Sequence, residues 1–397
     1  DGKDVIDGSA GSDTMTVSLA ADFAGFTASV GSMTGVETVS ISTTNSTDRS
    51  FDASGVTGVE TYNIDGSKSA VALTDVLELA ALKVSDQASG DMSLAWDAKS
   101  TVVTGSAADV MNVTVSGVGA ANSAAATLAS NATDLALKIT DVETLALTSE
   151  GTANRVDASG VTGATAITAT GSVDLNVTAV GVAVKTVDAS AMTADFSIDT
   201  TGTAATLTSL KAGTGDDSFT VNAADLAVDT TVAGGTGSDT LDITSAANKT
   251  LQLKMTGVET IDARDISANT VTMSMSDVTD FTTISMTNPE NATTNMGGTL
   301  KLINDTGATA ITTTGAHAGA INTDTTGKVS LTAGAEAALT TAKTTATLST
   351  AITAAKSTEL DLNIGAYVDY TGEVTAAKAT TVSFTSGSTA QSDVDLD

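Results

Sequence analysis

The chain reads K-A-G-T-G-D-D-S-F-T-V-N-A-A-D-L-A-V-D-T-T-V-A-G-G-T-G-S-D-T-L-D-I-T from Lys211 to Thr244. Its second glycine-aspartate loop, Gly234 to Asp242, matches the nonapeptide G-G-x-G-x-D-x-U-x at every specified position, where U is a large apolar residue. The first loop, Gly213 to Thr220, lacks only the leading glycine, because Ala212 stands there. Glycines let the backbone bend until its carbonyls converge, and the aspartate adds a full negative charge. Each loop therefore predicts an oxygen-rich cation site followed by a strand.

The amino-terminal residues repeat this pattern, since Gly2 to Asp7 reads G-K-D-V-I-D and Gly8 to Thr16 reads G-S-A-G-S-D-T-M-T. Two nonapeptides make one turn of a parallel β-roll, so loops about eighteen residues apart stack. Asp217 and Asp239 are therefore predicted to face each other across one Ca²⁺, whereas plain Asp-Gly turns are the alternative. The residues predicted to bind calcium, at more than one site, are Asp4, Asp13, Asp217 and Asp239 with Gly8, Gly11, Gly213, Gly215, Gly235 and Gly237.

A second repeat has the form Φ-T-G/D-V-E-T-Φ-x-Φ, where Φ is apolar or alanine. It occurs at Met33–Ile41, Val56–Ile64, Ile139–Leu147 and Met255–Ala263. The shared glutamate has two interpretations: a turn cap that accepts backbone hydrogen bonds, which we favour, or a bidentate calcium ligand. Related D-A-S segments begin at Asp52, Asp157 and Asp188, and degenerate A-K repeats carry Lys343, Lys356 and Lys378. We expect these lysines to face acidic neighbours.

The coarse structure between these repeats is strand. Val173–Thr178, Val271–Ser276 and Leu360–Ile364 alternate apolar and polar residues with period two. Together with repeats near 20 residues, the strands predict an all-β parallel β-solenoid or β-roll with calcium-binding Gly-Asp loops, straight or bent into lobes. An array of β-sandwiches is the alternative. The predicted division is a solenoid lobe at 1–210, calcium-binding loops at 211–246 and a second solenoid lobe at 247–397.

Charge and composition limit the possible partners and compartments. The 47 acidic residues against 17 basic ones give a formal charge of −30, which disfavours nucleic acid and anionic membranes. The acids include 37 aspartates, a residue that suits turns and cation sites. Cysteine is absent, which permits secretion, and no apolar run approaches the roughly 18 residues that span a bilayer. Because the chain begins at Asp1, we expect it to be a piece of a longer or processed polypeptide.

Catalytic motifs are scarce in this sequence. The single histidine, His317, lies in G-A-H-A-G and is predicted to be a turn residue, and neither H-E-x-x-H nor G-x-S-x-G occurs. Paired carboxylates of a glycosidase stay open, although aromatic residues, which line sugar-binding grooves, are only 3% of the chain. We therefore expect no enzymatic activity in this segment.

These motifs, in an acidic, cysteine-free, Thr/Ala/Gly-rich chain, resemble the surface-layer proteins of Gram-negative bacteria that belong to the RTX (repeats-in-toxin) secretion class. The resemblance implies a calcium-bound β-solenoid exported by type I secretion through an uncleaved carboxyl-terminal signal. It also implies a cell-surface location and self-assembly into a two-dimensional lattice on lipopolysaccharide, held through a region outside this chain. The chain departs from the family in having few nonapeptides. A calcium-dependent secreted adhesin and the non-catalytic part of an RTX enzyme are the alternatives.

Overall fold

The computed structural model describes residues 2–27, 29–86, 90–96, 108–119, 134–266, 269–287, 298–305, 309–314, 320–334, 346–348, 351–365, 368–370, 372–386 and 393–394. These residues form an all-β parallel solenoid of about 13 turns. The result confirms the predicted solenoid and not the array of β-sandwiches. By contact the chain divides into two units, Asp1–Gly215 and Asp216–Asp397, while the three-part division at 210 and 246 stays a prediction.

The strands of the first unit are β1 Val5–Asp7, β2 Thr14–Leu19, β3 Ser32–Thr34, β4 Thr38–Thr43, β5 Arg49–Asp52, β6 Thr61–Asp65, β7 Val71–Val76, β8 Ala81–Ser85, β9 Gly90–Trp96, β10 Val110–Ser116, β11 Leu135–Thr140, β12 Thr144–Glu150, β13 Asn154–Thr162, β14 Ala166–Gly171, β15 Leu175–Val180, β16 Thr186–Met192, β17 Phe196–Asp199 and β18 Leu207–Lys211. One sheet has the order β2-β4-β6-β8-β10-β12-β14-β16-β18, and a second has the order β5-β7-β9-β11-β13-β15-β17. β1 pairs with β3. Successive coils thus add one parallel strand to each sheet.

The strands of the second unit are β19 Ser218–Asn222, β20 Leu226–Ala233, β21 Thr240–Ser245, β22 Lys249–Gln252, β23 Lys254–Thr256, β24 Thr260–Ile266, β25 Thr270–Ser274, β26 Thr283–Thr287, β27 Thr299–Ile303, β28 Thr309–Thr314, β29 Ala320–Thr323, β30 Lys328–Gly334, β31 Ala346–Leu348, β32 Ala351–Thr353, β33 Glu359–Ile364, β34 Val368–Tyr370, β35 Val374–Thr375, β36 Thr381–Ser386 and β37 Asp393–Val394. A single 3-10 turn covers Ala223–Asp225 in the described part of the chain. The sheet orders are β19-β21-β24-β26-β28-β30-β33-β36, β22-β25-β27-β29-β32-β35, β31-β34-β37 and the pair β20-β23.

The core is a set of columns of aliphatic side chains, because alternate residues of many of the described strands point inward. β12 shows this directly, with a buried residue at every second position. In the second unit one column, in register through the parallel strands, comprises Leu241, Ile261, Ile284, Ile311, Leu331 and Leu362. All six are buried. Each contributes about 1.5 to 3 kcal/mol relative to an exposed side chain, so stacking of coils is the main source of stability.

The D-A-S segments form local turns. The amide of Ser54 donates to Asp52 Oδ1 at 2.8 Å, and Ser159 does the same to Asp157 at 2.8 Å. Between β11 and β13 the register shifts across the segment that begins at Asp157, because Ala136 lies opposite Asp157 and Lys138 opposite Gly160, so this segment carries the extra residue of a β-bulge. When an aspartate side chain accepts a hydrogen bond from the amide two residues later, that amide is satisfied locally and does not need a partner on the neighbouring strand.

Candidate functional site

An acidic residue stands directly before the strand at one corner of successive coils. In the first unit Asp13, Glu37 and Glu60 precede β2, β4 and β6. The main-chain ladder holds them in one column, since the Thr38 amide donates to the Asp13 carbonyl at 3.1 Å and the Thr61 amide to the Glu37 carbonyl at 3.0 Å. The aspartate of the Gly-Asp loops and the glutamate of the V-E-T repeats therefore occupy the same structural position.

The V-E-T glutamates cap the amide of the acid one coil earlier. Glu37 Oε2 accepts from the Asp13 amide at 2.7 Å, and Glu259 Oε2 accepts from the Asp239 amide at 2.8 Å. The third case follows the same rule, in which Glu143 Oε2 accepts from the Asp109 amide at 2.9 Å. These bonds confirm the turn-capping interpretation of the V-E-T glutamate at these three positions.

Asp217 and Asp239, the pair predicted to share calcium, do stack on adjacent coils. Ser218 is in register with Thr240, and the Asp217 amide donates to Asp239 Oδ1 at 2.8 Å. Each aspartate is only 1% exposed. One oxygen of Asp239 is thus engaged as a cap for the neighbouring coil, and the shared calcium ion stays a prediction.

The glycines of the predicted loops allow close approach of neighbouring coils. A Cβ atom placed on Gly234 would lie 1.8 Å from the Gly257 carbonyl oxygen, and one placed on Gly8 would lie 1.8 Å from the Gly35 carbonyl oxygen. The main-chain hydrogen bonds are also equivalent at the two places. The Gly8 amide donates to the Thr34 carbonyl at 2.9 Å, and the Gly234 amide donates to the Thr256 carbonyl at 3.0 Å. Each unit therefore holds one copy of the same arrangement, a Gly-Asp coil stacked against an M-T-G-V-E-T coil.

The remaining predicted residues occupy turns around these corners. Gly11, Gly215, Gly235 and Gly237 have φ of +144°, +129°, +112° and +142°, respectively, a region that glycine adopts without strain. Gly213 packs against the carbonyl of Met192 in the first unit. Asp4 is exposed and precedes β1, whereas Asp13 precedes β2 in a different sheet. Asp4 and Asp13 thus stand at different corners of the first coil, as their nine-residue spacing indicates.

Two aspartates at the corner keep a second carboxylate oxygen buried. Asp13 Oδ2 and Asp109 Oδ2 have less than 1 Å² exposed and no hydrogen-bond partner. An ionised oxygen in that position is costly unless a cation lies beside it. Carboxylate and main-chain carbonyl oxygens are ligands that calcium accepts, so the donor type fits. No cluster of three or more His, Asp or Glu side chains with metal-holding geometry occurs within the described ranges. Main-chain carbonyls and water would have to complete the coordination.

The sequence motifs did not reveal every acid at these corners. Asp109 lies in S-A-A-D-V-M, with alanine where the nonapeptide has its glycine two residues before the aspartate. Asp174 and Asp195 directly precede β15 and β17. The Asp195 amide donates to Asp174 Oδ1 at 3.3 Å. An acid followed within two residues by the first inward apolar residue of a strand is the common signal, and it is visible in the sequence only once the strands are known.

Some charged residues elsewhere in the described ranges form ion pairs. A hydrogen bond from Ser190 lowers the pKa of Asp188, and Lys211 lowers it further. Burial raises the pKa of Asp324, but hydrogen bonds from Lys356 and from the Asn304 and Asp305 amides outweigh burial and lower it. The Lys356–Asp324 pair, at 2.9 Å, confirms an acidic neighbour for one predicted lysine. Lys343 and His317 lie outside the described residues.

No match to this chain was found among protein-family models, curated proteins or solved structures. Within the part of the chain that the structure describes, no helix is long and apolar enough to cross a bilayer.

Proposed function

We propose that this protein is a structural component of a bacterial surface layer, which folds and assembles into a two-dimensional lattice in a calcium-dependent way. One observation carries the proposal. Each unit of an acidic parallel solenoid contains a Gly-Asp coil stacked on an M-T-G-V-E-T coil, with the aspartate carboxylate turned into the corner. A long stack of coils of this kind serves as a scaffold, and its repeated surfaces suit lattice contacts.

Calcium would be held by aspartates at the corners of the coils. Asp13 and Asp109 each offer a buried oxygen, and Asp217 and Asp239 place two carboxylates on adjacent coils. Calcium takes about six to eight oxygen ligands, so loop carbonyls and water would supply the others. The ion would offset the repulsion among stacked carboxylates and so favour close stacking of the coils.

Calcium dependence links folding to the compartment. Extracellular modules bind calcium with a Kd on the order of 10⁻⁴ to 10⁻³ M, so external calcium fills such sites and cytosolic calcium does not. At 100 times Kd, each site stabilises the folded state by about 2.7 kcal/mol. The chain would remain unfolded for type I secretion and fold outside the cell. Attachment to lipopolysaccharide through a region outside this chain completes the proposal.

Electron microscopy and circular dichroism of the purified protein test this function. In millimolar calcium we expect ordered sheets and a β-rich spectrum, and in excess chelator we expect dispersed, largely unfolded chains. Re-addition of calcium should restore both. An unchanged spectrum with intact sheets in chelator would contradict calcium dependence, and a β-rich protein that never forms sheets would contradict the surface-layer role.

A further inference from the structure

One broad sheet face of the first unit carries few charges. The outward side chains of β4, β6, β8, β10, β12, β14 and β16, which are neighbours in one sheet, form this surface, and we call it the low-charge face. The parallel register places its side chains in columns. One column comprises Ser40, Asn63, Lys83, Thr114, Thr148 and Thr170. Small uncharged side chains thus occupy all but one position of this column.

The charge of this face contrasts with the charge of the unit that carries it. Asp1–Gly215 contains 25 acidic and 9 basic residues, which gives a formal charge of −16. The structure describes every residue of the seven strands, and their charged outward residues are Asp65, Lys83, Glu150 and Asp188. Lys83 lies 3.7 Å from Glu150, and Lys211 of β18 lies 3.7 Å from Asp188. Most of the negative charge therefore lies on other surfaces of the unit.

Polar side chains of the low-charge face bond to one another along the columns. Asn63 Nδ2 donates to Ser40 Oγ at 3.4 Å, and the hydroxyls of Thr148 and Thr170 lie 3.3 Å apart. A polar group that keeps a hydrogen-bond partner loses less free energy when water leaves. Sheets with such side-chain ladders stack face to face in steric zippers, where small side chains of the two sheets interdigitate. The composition of the face therefore suits contact with another sheet.

The size of the low-charge face suits a specific contact. Neighbouring strands lie about 4.8 Å apart and each residue adds about 3.3 Å, so seven strands of about six residues cover about 34 by 20 Å. Two such faces in contact would bury about 1,400 Å², within the range of about 1,200 to 2,000 Å² for specific protein interfaces.

We propose that two copies of this chain pack their low-charge faces together around a two-fold axis. A second copy is the occupant that the charge favours, because two units of −16 repel each other least where both present few charges. A two-fold contact uses the same surface on both copies, so it closes into a dimer. The proposal goes beyond the proposed function, since it needs neither a lattice nor calcium between molecules.

Single-cysteine cross-linking of the full 397-residue chain tests this contact, because the chain has no cysteine of its own. Asn112 is exposed on β10, the middle strand of the face, and Asn176 is an outward residue of β15 in the other sheet. Both lie in N-V-T, so they are matched positions. With a bis-maleimide longer than the about 10 Å between packed sheets, Asn112→Cys should give a covalent dimer and Asn176→Cys should not. Equal cross-linking at the two positions would contradict the proposal.

Analytical ultracentrifugation at fixed millimolar calcium gives a second test. From about 1 to 100 μM the mean mass of the wild type should rise from one copy to two, and added salt should strengthen the dimer by screening the repulsion. Asn112→Glu and Asn112→Lys should each be monomeric, because like charges would meet across the contact, whereas their mixture should form a 1:1 dimer. Asn176→Glu, which adds the same charge to the other sheet, should dimerise like the wild type. Far-UV circular dichroism verifies folding, and Thr114→Glu replaces Asn112→Glu if that variant unfolds.

The outcomes separate this proposal from the surface-layer function. A monomeric wild type, variants at Asn112 that dimerise as the wild type does, or a mixture that stays monomeric would overturn the dimer. Ordered sheets without the Asn112→Cys cross-link would contradict the dimer alone. The cross-link without ordered sheets would contradict the surface-layer function alone.

Discussion

At the scale of the residue, aspartate and glutamate occupy the same corner position, and hydrogen bonds join the acid of one coil to the acid of the next. Main-chain amides donate hydrogen bonds to glutamate carboxylates in three pairs: Asp13 to Glu37, Asp109 to Glu143 and Asp239 to Glu259. A hydrogen bond to a charged acceptor stabilises by about 1.5 to 3 kcal/mol, and a half-buried amide that loses it has no water to replace it fully. The V-E-T glutamate is therefore part of the coil-to-coil ladder and more than a polar surface residue.

Substitution of Glu259 tests this capping role. Glu259→Ala should destabilise the second unit by about 1 to 3 kcal/mol, and Glu259→Gln should cost less because its amide carbonyl still accepts the Asp239 hydrogen bond. Hydrogen exchange followed by mass spectrometry should show faster exchange in the peptide that contains Asp239. Glu60→Ala is the matched control, since Glu60 stands in the same V-E-T repeat but is exposed. Equal protection in the Glu259→Ala and wild-type proteins would show that the cap contributes little.

The sequence predicted the type of these corner residues better than their pairing. Asp217 and Asp239 stack as their 22-residue spacing indicates, because that loop pair has almost no insertion. Asp109 and Glu143 are 34 residues apart, so their pairing is hidden by the length of chain between them. A bond between coils depends on register along the whole stack, which a local motif does not contain.

At the scale of the element, period-two alternation located the strands to within a few residues. The predicted strand Leu360–Ile364 lies within β33, Glu359–Ile364, and the predicted strand Val173–Thr178 is displaced toward β15, Leu175–Val180. The displacement arises because Asp174 occupies the corner before β15, and the inward alternation starts only at Leu175. Apolar patterning thus predicts the strand, whereas the corner that ends the preceding turn is a tertiary feature.

The short distance between the Gly-Asp coil and the next coil depends on glycine, which has no side chain. A Cβ on Gly234 would lie 1.8 Å from the backbone carbonyl oxygen of Gly257, and no rotamer change relieves a clash with backbone. Gly234→Ala should therefore destabilise the second unit by about 3 kcal/mol or more, measured by urea denaturation. Gly66→Asn is the control, because Gly66 has φ of +58° and nothing within 4 Å, and asparagine tolerates that conformation. A loss of stability at Gly234 no larger than at Gly66 would mean that the two coils can separate at little cost.

At the scale of the whole molecule, folding brings many negatively charged side chains close together. The formal charge of −30 raises the free energy of the compact state through self-repulsion, and any added cation relieves part of it by screening. Stabilisation by calcium alone therefore does not distinguish screening from binding at the corner aspartates. Magnesium makes the distinction, because it carries the same charge but demands octahedral coordination and gives up its waters reluctantly.

We expect 5 mM calcium to stabilise the chelator-treated protein by about 1 to 2.3 kcal/mol per site more than 5 mM magnesium, because 5 mM is about 5 to 50 times a Kd of 10⁻³ to 10⁻⁴ M. The combined Asp13→Asn and Asp239→Asn variant should lose most of this calcium-specific difference while it keeps the stabilisation common to both ions. Asp141→Asn is the control for charge, since Asp141 is exposed in a turn with φ of +61°, which asparagine also adopts. Urea denaturation in the two ions gives the difference directly. If calcium and magnesium stabilise the wild type equally, the acids of this chain are screened rather than ligated, and the corner carboxylates act only as caps between coils.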